Sequence, residues 1–166
     1  MTKSSIYYGI FNSDDYGPIL LGLCEEKIAF LGLTDAPREM RSHYKTNPFI
    51  HNIEKTRPFF EALFKEKPLK TDFFFTGTKF QHDVWKALEG IPRGETRSYS
   101  DVARAIGRPR AVRAVGTAIG HNPISLLIPC HRVLYSNGAI GNYRWGSALK
   151  KKLLDYEKRP ISTVVQ

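Results

Sequence analysis

The chain has 166 residues, of which 42% are hydrophobic, and it carries a formal net charge of +9. This length supports one domain, or two small ones, with a packed core. No apolar run approaches the roughly 20 residues that a membrane-spanning helix needs. The N-terminal residues lack the hydrophobic segment of a secretory signal, so the sequence predicts a cytoplasmic protein, or a nuclear one in a eukaryote.

The charge is distributed unevenly between the two halves of the chain. Residues 1–76 contain ten Lys and Arg against ten Asp and Glu, whereas residues 77–166 contain fifteen against six. A basic half next to a neutral half indicates a polyanionic partner, and nucleic acid is the simplest such partner. We therefore expect two domains, 1–76 and 77–166, of which the second binds nucleic acid.

The first half has the pattern of a small α/β domain. Short apolar runs separated by polar turns predict three strands, Ile6–Phe11, Pro18–Cys24 and Lys27–Leu33. A helix is expected to begin near Asp35, and a second helix is expected over Phe49–Lys65. Neither helix carries residues that suggest chemistry.

The second half has the pattern of a helical domain. A helix is predicted over residues 78–89, with Trp85 in the core. Ser100 fits the N-cap of a short helix, and a further helix is predicted from about Pro109 to Gly120. Two short helices joined by a tight turn form a helix-turn-helix, which is a common DNA-binding motif.

The second helix of this motif is predicted to expose small residues and arginine. At about 100° per residue, Arg110, Arg113, Ala114 and Thr117 lie on one side of it. Such small residues suit a shallow contact along a groove. Arg113 would be the one long central side chain, and it could take the place of an extruded base.

Cys130 is the strongest candidate for chemistry, because His131 follows it directly. Only the thiolate is a nucleophile, and an adjacent imidazole can accept the proton of the thiol. Pro129 favours extended backbone before it, so we expect a buried strand over residues 126–128 and a turn at Cys130. Both cysteines are expected to be free thiols, with Cys24 a packed core residue.

The last predicted helix, Ser147–Glu157, ends on an unusual residue. A carboxylate at a helix C-terminus opposes the helix dipole, so Glu157 suggests a nearby cation or hydrogen-bond donor, for which His131 is a candidate. The three consecutive lysines, Lys150–Lys152, are placed away from the apolar face of this helix.

These motifs, in this order and spacing, resemble those of the O6-alkylguanine-DNA alkyltransferases. The similarity covers about residues 78–158, and the matching segments are Ala111–Gly116, Asn122-Pro123, Pro129-Cys130-His131-Arg132-Val133 and Gly141–Gly146. The resemblance implies an α/β fold class, with a small ribonuclease-H-like first domain. The second domain would be mostly helical and winged-helix-like, and it would contain the helix-turn-helix.

The resemblance also implies direct repair of alkylated DNA. A methyl or other alkyl group would move irreversibly from O6-alkylguanine, and from O4-alkylthymine, to Cys130 in a single turnover. By the same analogy, His131 would be the base through a water, and Glu157 would orient His131. Asn122 would brace the turn around the cysteine, and Tyr99 would rotate the target phosphate and protonate the leaving guanine. No cofactor and no metal are implied.

Two binding surfaces follow from the same resemblance. Double-stranded DNA would be contacted in its minor groove, with the damaged base flipped out, by Tyr99, Arg110, Ala111, Arg113, Ala114, Gly116, Thr117 and Arg132. The alkylguanine pocket would be lined by Ser125, Val133, Tyr143, Arg144 and Trp145. The protein would act as a monomer and would not bind a membrane.

Two other functions fit parts of the sequence. A cysteine hydrolase also uses cysteine and histidine, but it needs an oxyanion hole and has no use for a basic helix-turn-helix. A non-catalytic module that recognises alkylated bases would use the helix-turn-helix but would not need Cys130. The combination of both features favours the alkyltransferase.

Overall fold

The computed structural model describes residues 3–64 and 71–159, which form two compact units. The first unit comprises the described residues up to Thr76 together with Pro123–Ser125. The second comprises Gly77–Asn122 and the described residues from Leu126 onwards. None of the helices in these ranges combines the length and the apolar character that crossing a membrane requires.

The first unit is built on a four-stranded sheet. Its strands are β1 (Ile6–Ser13), β2 (Gly17–Cys24), β3 (Lys27–Gly32) and β4 (Phe49–His51), in the spatial order β3-β2-β1-β4. The first three strands form an antiparallel meander, and β4 pairs parallel to β1. The three predicted strands are confirmed, and Cys24 is fully buried, as expected.

Two helices, α1 (Pro37–Arg41) and α2 (Ile53–Leu63), complete the first unit. The prediction of a helix beginning at Phe49 is wrong, because residues 49–51 form β4 and pair with β1. Asn52 then caps α2 by accepting a hydrogen bond from the Lys55 amide at 2.9 Å. Lys65, the predicted end of the helix, lies outside the described residues.

The second unit is mostly helical. Helix α3 (Lys79–Glu89) contains Trp85, whose Nε1 donates a hydrogen bond to the Ala118 carbonyl at 2.9 Å. Helices α4 (Tyr99–Ala105) and α5 (Val112–Gly120) form the helix-turn-helix. The two units thus confirm the predicted fold class, a mixed α/β region followed by a mostly helical domain.

Two helix starts differ from the predicted ones. The N-cap of α4 is Ser98 and not Ser100, because Ser98 Oγ accepts from the Asp101 amide at 3.0 Å. The Asp101 carboxylate in turn accepts from the Ser98 amide at 2.8 Å, which completes a capping box. Helix α5 begins at Val112 and not near Pro109, because residues 108–111 form a turn in which the Ala111 amide donates to the Arg108 carbonyl.

The segment around the cysteine also differs from the prediction. Residues 125–127 form a turn, in which Leu126 has a φ of +69°, and not a buried strand. A short 3₁₀ helix, Cys130–Arg132, follows this turn and confirms the predicted bend at Cys130. It leads into β6 (Val133–Leu134), which pairs parallel to β5 (Arg97–Ser98). The last helix, α6 (Ser147–Glu157), has the predicted bounds.

Candidate active site

Cys130 begins the 3₁₀ helix of the second unit, and it is only 7% exposed. The Ile128 carbonyl holds this turn together. It accepts one hydrogen bond from the Cys130 amide at 2.8 Å and another from Asn122 Nδ2 at 2.8 Å. Asn122, itself buried, is therefore tied to the backbone that presents the thiol.

Burial is the largest influence on the Cys130 thiol, and it raises the pKa of that group. A hydrogen bond from Asn122, the charge of Lys150 and a hydrogen bond from Tyr143 act in the opposite direction but do not outweigh burial. The thiol is therefore protonated at rest near neutral pH. Because the thiolate is the nucleophile, Cys130 can react only if a neighbouring group takes its proton.

His131, which is 1% exposed, is hydrogen-bonded to the end of α6. Its Nε2 lies 2.7 Å from Glu157 Oε1, so the hydrogen bond that the sequence suggested between these two residues is present. Burial raises the pKa of Glu157, but hydrogen bonds from His131 and Arg132, together with the charge of the Arg132 guanidinium, outweigh burial and lower it to about 2. Glu157 is therefore a carboxylate at neutral pH, and it accepts the proton on Nε2.

The second ring nitrogen of His131, Nδ1, is buried and has no hydrogen-bond partner among the residues that the structure describes. In the neutral form of the ring with the proton on Nε2, Nδ1 has the free lone pair. A histidine held in this way, adjacent to a protonated thiol, can act as a general base.

Arg132 contacts the same carboxylate as His131. Its Nε donates to Glu157 Oε2 at 2.9 Å, and its Nη2 donates to Glu157 Oε1 at 2.8 Å. Its Nη1 donates to the Ile91 carbonyl at 2.6 Å. The sequence analysis placed Arg132 among the DNA contacts. The structure instead places its guanidinium beside Glu157, and the side chain is only 14% exposed.

Lys150 is a residue of the site that the sequence analysis missed. It was placed away from the apolar face of α6, but it is 1% exposed. Its Nζ donates to the Val133 carbonyl at 2.7 Å and to the Asn142 carbonyl at 3.4 Å. Burial lowers the pKa of Lys150 to about 8, partly opposed by the charge of Cys130. The sequence contains one signal for this burial. Leucines lie three and four residues after Lys150, and residues at these spacings lie on the same face of a helix.

Tyr99, the first residue of α4, is half-buried, and its ring centroid lies 5.4 Å from that of Tyr135. Burial raises the pKa of Tyr99, and the charges of Tyr135 and Cys130 raise it further. The phenol is therefore protonated at neutral pH and can donate a hydrogen bond. Gly116 lies beside it, since a Cβ added to Gly116 would be 3.8 Å from Tyr99 Cδ1.

The predicted DNA contacts are distributed along one side of the helix-turn-helix. Arg113, Ala114 and Thr117 of α5 are exposed, and so is Arg110 in the turn before it. Ala111 and Gly116 are half-buried. The opposite side of α5 is buried and contains Val115, Ala118 and Ile119. The exposed side therefore presents small residues and two arginines, as the sequence predicted.

The predicted pocket residues fall into two groups. Val133 is buried directly after the 3₁₀ helix, and Tyr143, Arg144 and Trp145 are half-buried in the loop before α6. The Arg144 guanidinium lies 5.1 Å from the centre of the Trp145 ring. Ser125 is buried in the first unit, where its amide donates to a β3 carbonyl at 2.8 Å.

The described part of the chain contains no group of three His, Cys, Asp or Glu side chains that could hold a metal ion. The features that remain are a buried cysteine, a histidine fixed by a carboxylate, and a helix-turn-helix with a basic, small-residue surface. Together they define a class of protein, one that combines a DNA-binding motif with a cysteine nucleophile.

Comparisons with known proteins identify the family within this class. The family model described as "6-O-methylguanine DNA methyltransferase, DNA binding domain" matches residues 79–159. The inducible methylated-DNA–protein-cysteine methyltransferase of Bacillus subtilis is 35% identical, over 96% of this chain and 94% of its own length. The methylated-DNA–protein-cysteine methyltransferase of Methanosarcina acetivorans is 38% identical, over 92% of this chain and 98% of its own length.

A solved structure is similar over nearly the whole chain as well. The crystal structure of Mycobacterium tuberculosis OGT in complex with DNA has a TM-score of 0.77 and 33% sequence identity, and the match covers 95% of this chain and 98% of that chain. This chain therefore belongs to the methylated-DNA–protein-cysteine methyltransferase family.

Proposed function

We propose that this chain repairs DNA by moving a methyl or other alkyl group from O6-alkylguanine, and from O4-alkylthymine, to Cys130. The observation that carries the proposal is the 2.7 Å hydrogen bond between His131 Nε2 and Glu157 Oε1, which leaves Nδ1 available as a base in the residue that follows the buried Cys130. Family membership supplies the substrate class, because the relatives are named as methyltransferases that act on methylated DNA and a protein cysteine.

The transfer is a displacement at the alkyl carbon. His131 takes the thiol proton through a water, and Glu157 stabilises the resulting imidazolium. The sulfur of Cys130 forms a bond to the alkyl carbon, while the bond from that carbon to O6 breaks and its electrons stay on the guanine. Tyr99 donates a proton to the leaving base, which a phenol that is protonated at neutral pH can do.

The product of this reaction is a thioether between the protein and the alkyl group. Thioethers are not hydrolysed under cellular conditions, so Cys130 is not regenerated. Each molecule of the protein therefore acts once, and the alkyl group is never released as a free product.

Access to the base requires that the damaged nucleotide leaves the duplex. Helix α5 enters the minor groove, where its small exposed residues permit close approach, and Arg113 fills the space that the base vacates. Arg110 and Thr117 lie on the same exposed side and contact the phosphate backbone of the DNA. Tyr99, next to Gly116, turns the target phosphate.

The extruded base lies against Val133 and the loop of Tyr143, Arg144 and Trp145. Backbone groups of Cys130 and Val133 hold the purine, together with Tyr143 and the loop that follows it. We also propose that residues 1–76 and 77–166 are the two domains, and that the reacting residues all belong to the second. This is consistent with the net charge of the chain, which resides entirely in residues 77–166.

The direct test is mass spectrometry of the protein after incubation with duplex DNA that contains O6-methylguanine. We expect one added methyl group per molecule, located on Cys130, and the same result for the Cys24→Ser variant. Cys130→Ser should gain no methyl group. An unmodified Cys130 in the wild-type protein would refute the proposal.

The same incubation separates the proposal from the two other functions. A cysteine hydrolase would release product repeatedly and leave Cys130 unmodified at the end. A non-catalytic module would retain the alkylated DNA unchanged. Only the alkyltransferase consumes protein and damaged base in equal amounts.

A further inference from the structure

Each of the three guanidinium nitrogens of Arg132 donates a hydrogen bond within the second unit. Nε and Nη2 each donate to one oxygen of Glu157, at 2.9 Å and 2.8 Å, and Nη1 donates to the Ile91 carbonyl at 2.6 Å. A two-point contact of this kind fixes both the position and the plane of a carboxylate. Glu157, the last residue of α6, is therefore held in one orientation by Arg132.

The oxygen that Arg132 holds through Nη2 is the same oxygen that faces His131. Glu157 Oε1 lies 2.8 Å from Arg132 Nη2 and 2.7 Å from His131 Nε2. Without the guanidinium, the carboxylate could rotate about its last side-chain bonds and leave Nε2. The geometry at His131 thus depends on a contact that His131 does not make itself.

We infer that Arg132 is a positioning residue for the proposed transfer, acting through Glu157 to keep the proton of His131 on Nε2. This inference rests on the proposed function, because it concerns the same base. A fixed carboxylate accepts only from Nε2, so the lone pair stays on Nδ1, the buried ring atom without a partner in the described residues. If the carboxylate moves, the proton can shift to Nδ1, and that nitrogen can no longer accept the thiol proton.

The role contrasts with the DNA contact that the sequence suggested for Arg132. Two arginines of the helix-turn-helix, Arg110 and Arg113, are exposed and can reach a phosphate or a groove. The Arg132 side chain is 14% exposed and already donates three hydrogen bonds to protein acceptors. Its charge is matched by Glu157, so it adds little to the attraction of DNA.

A comparison of two substrates distinguishes these roles. Arg132→Gln should react about 10- to 100-fold more slowly, both with O6-methylguanine in duplex DNA and with the free base, because it disturbs the orientation of the base and not DNA binding. Arg93→Ala is the matched control. Arg93 contacts the same end of α6, donating to the Tyr156 carbonyl at 3.4 Å, but not Glu157, and its removal should leave both rates unchanged. A loss confined to duplex DNA would overturn the inference.

A double-mutant cycle tests whether Arg132 acts through Glu157. If it does, Arg132→Gln combined with Glu157→Gln should be as slow as Glu157→Gln alone. Losses that multiply would show that Arg132 acts independently of Glu157 and would overturn the inference. The wild-type rate is measured in the same series, so an inactive wild type points to failure of the proposed function and not of the role of Arg132.

The position of the proton can be read directly in protein labelled with 15N at histidine. The couplings between ring protons and ring nitrogens report which nitrogen of His131 is protonated. We expect the Nε2 form in the wild type and a mixture of forms in Arg132→Gln. If that variant does not fold, Arg132→Lys provides the test, because it keeps the charge but loses the two-point contact. An unchanged Nε2 form in the folded variant would contradict the inference.

Discussion

Helix α6 carries a half-buried carboxylate, Glu157, and a buried ammonium, Lys150, and different neighbours determine their protonation. Glu157 accepts a hydrogen bond from His131 and is paired with the Arg132 guanidinium, and together these contacts outweigh the effect of burial on its pKa. Lys150 donates to two backbone carbonyls, and burial lowers its pKa to about 8. A buried ammonium that donates to neutral carbonyls favours a nearby anion, and the Cys130 thiolate of the proposed transfer would be one.

The ionised Glu157 should make stability depend on acid pH. Its pKa is lowered from 4.5 to about 2 in the folded protein, which corresponds to about 3 kcal/mol. Because the folded pKa lies below the unfolded one, this contribution is fully present above about pH 4.5 and is lost as the pH falls through 2. Urea unfolding of the wild type and of Glu157→Gln should show a stability gap at pH 7 that narrows by pH 3. A gap that stays constant between these pH values would contradict the assignment.

In the helix-turn-helix, the start of α4 depends on one serine. Ser98→Ala should lower the free energy of unfolding by about 1 kcal/mol, because it removes the acceptor for the Asp101 amide. Ser100→Ala is the control, because Ser100 lies inside the helix and its Oγ is 3.5 Å from Ser136 Oγ. Denaturant unfolding of both variants measures the difference. Equal losses would mean that Ser98 does not cap the helix.

Helix α5 should act on base extrusion through Arg113. One lost basic contact changes the electrostatic attraction of DNA only slightly, whereas an extruded base loses its replacement in the stack. Arg113→Ala should therefore slow repair of duplex DNA much more than transfer from free O6-methylguanine. Single-turnover rates on the two substrates test this prediction. Comparable losses of rate on both would show that Arg113 has no role in base extrusion.

The loop before α6 should set the size of the alkyl group that is accepted. Trp145 is bulky, and the Arg144 guanidinium lies over its ring. If Trp145 forms one wall of the alkylguanine pocket, it leaves little room beyond the reacting carbon. We expect slow inactivation by O6-benzylguanine and a gain of roughly 10- to 200-fold in Trp145→Gly, since such a mismatch is worth about 1–3 kcal/mol. Inactivation rates with the free benzylated base measure this. A fast wild-type reaction would show that Trp145 does not form the wall.

For the whole molecule, the uneven charge should appear as salt dependence of DNA binding. The logarithm of the affinity should fall linearly with the logarithm of salt concentration, because cations are released from the phosphates. Arg110→Ala should reduce the slope by about one, since Arg110 is exposed beside the helix-turn-helix. Arg132→Gln should leave the slope unchanged, because its charge is matched by Glu157. Titrations at several salt concentrations test both variants, and an unchanged slope for Arg110→Ala would exclude a phosphate contact.

Several parts of this protein follow from local sequence alone. Local patterns identify the three strands of the meander, the helix that contains Trp85 and the last helix. In each, the spacing of hydrophobic residues or the capping residues lie within the element itself. The proposed nucleophile also follows from local sequence, because Cys130 and His131 are adjacent in the chain. Glu157 was a candidate partner for His131 because a carboxylate at a helix end requires a compensating donor.

Other parts depend on residues that meet only in the folded chain. Residues 49–51 form a strand because they pair with β1, and nothing within the segment identifies that partner. Arg132 and Lys150 read as surface cations, yet one holds Glu157 and the other is buried against two carbonyls. A charged side chain can be buried wherever acceptors surround it, and those acceptors belong to distant segments. Local sequence is therefore enough to propose Cys130 as the nucleophile, whereas the charged residues near it are placed by contacts between distant segments.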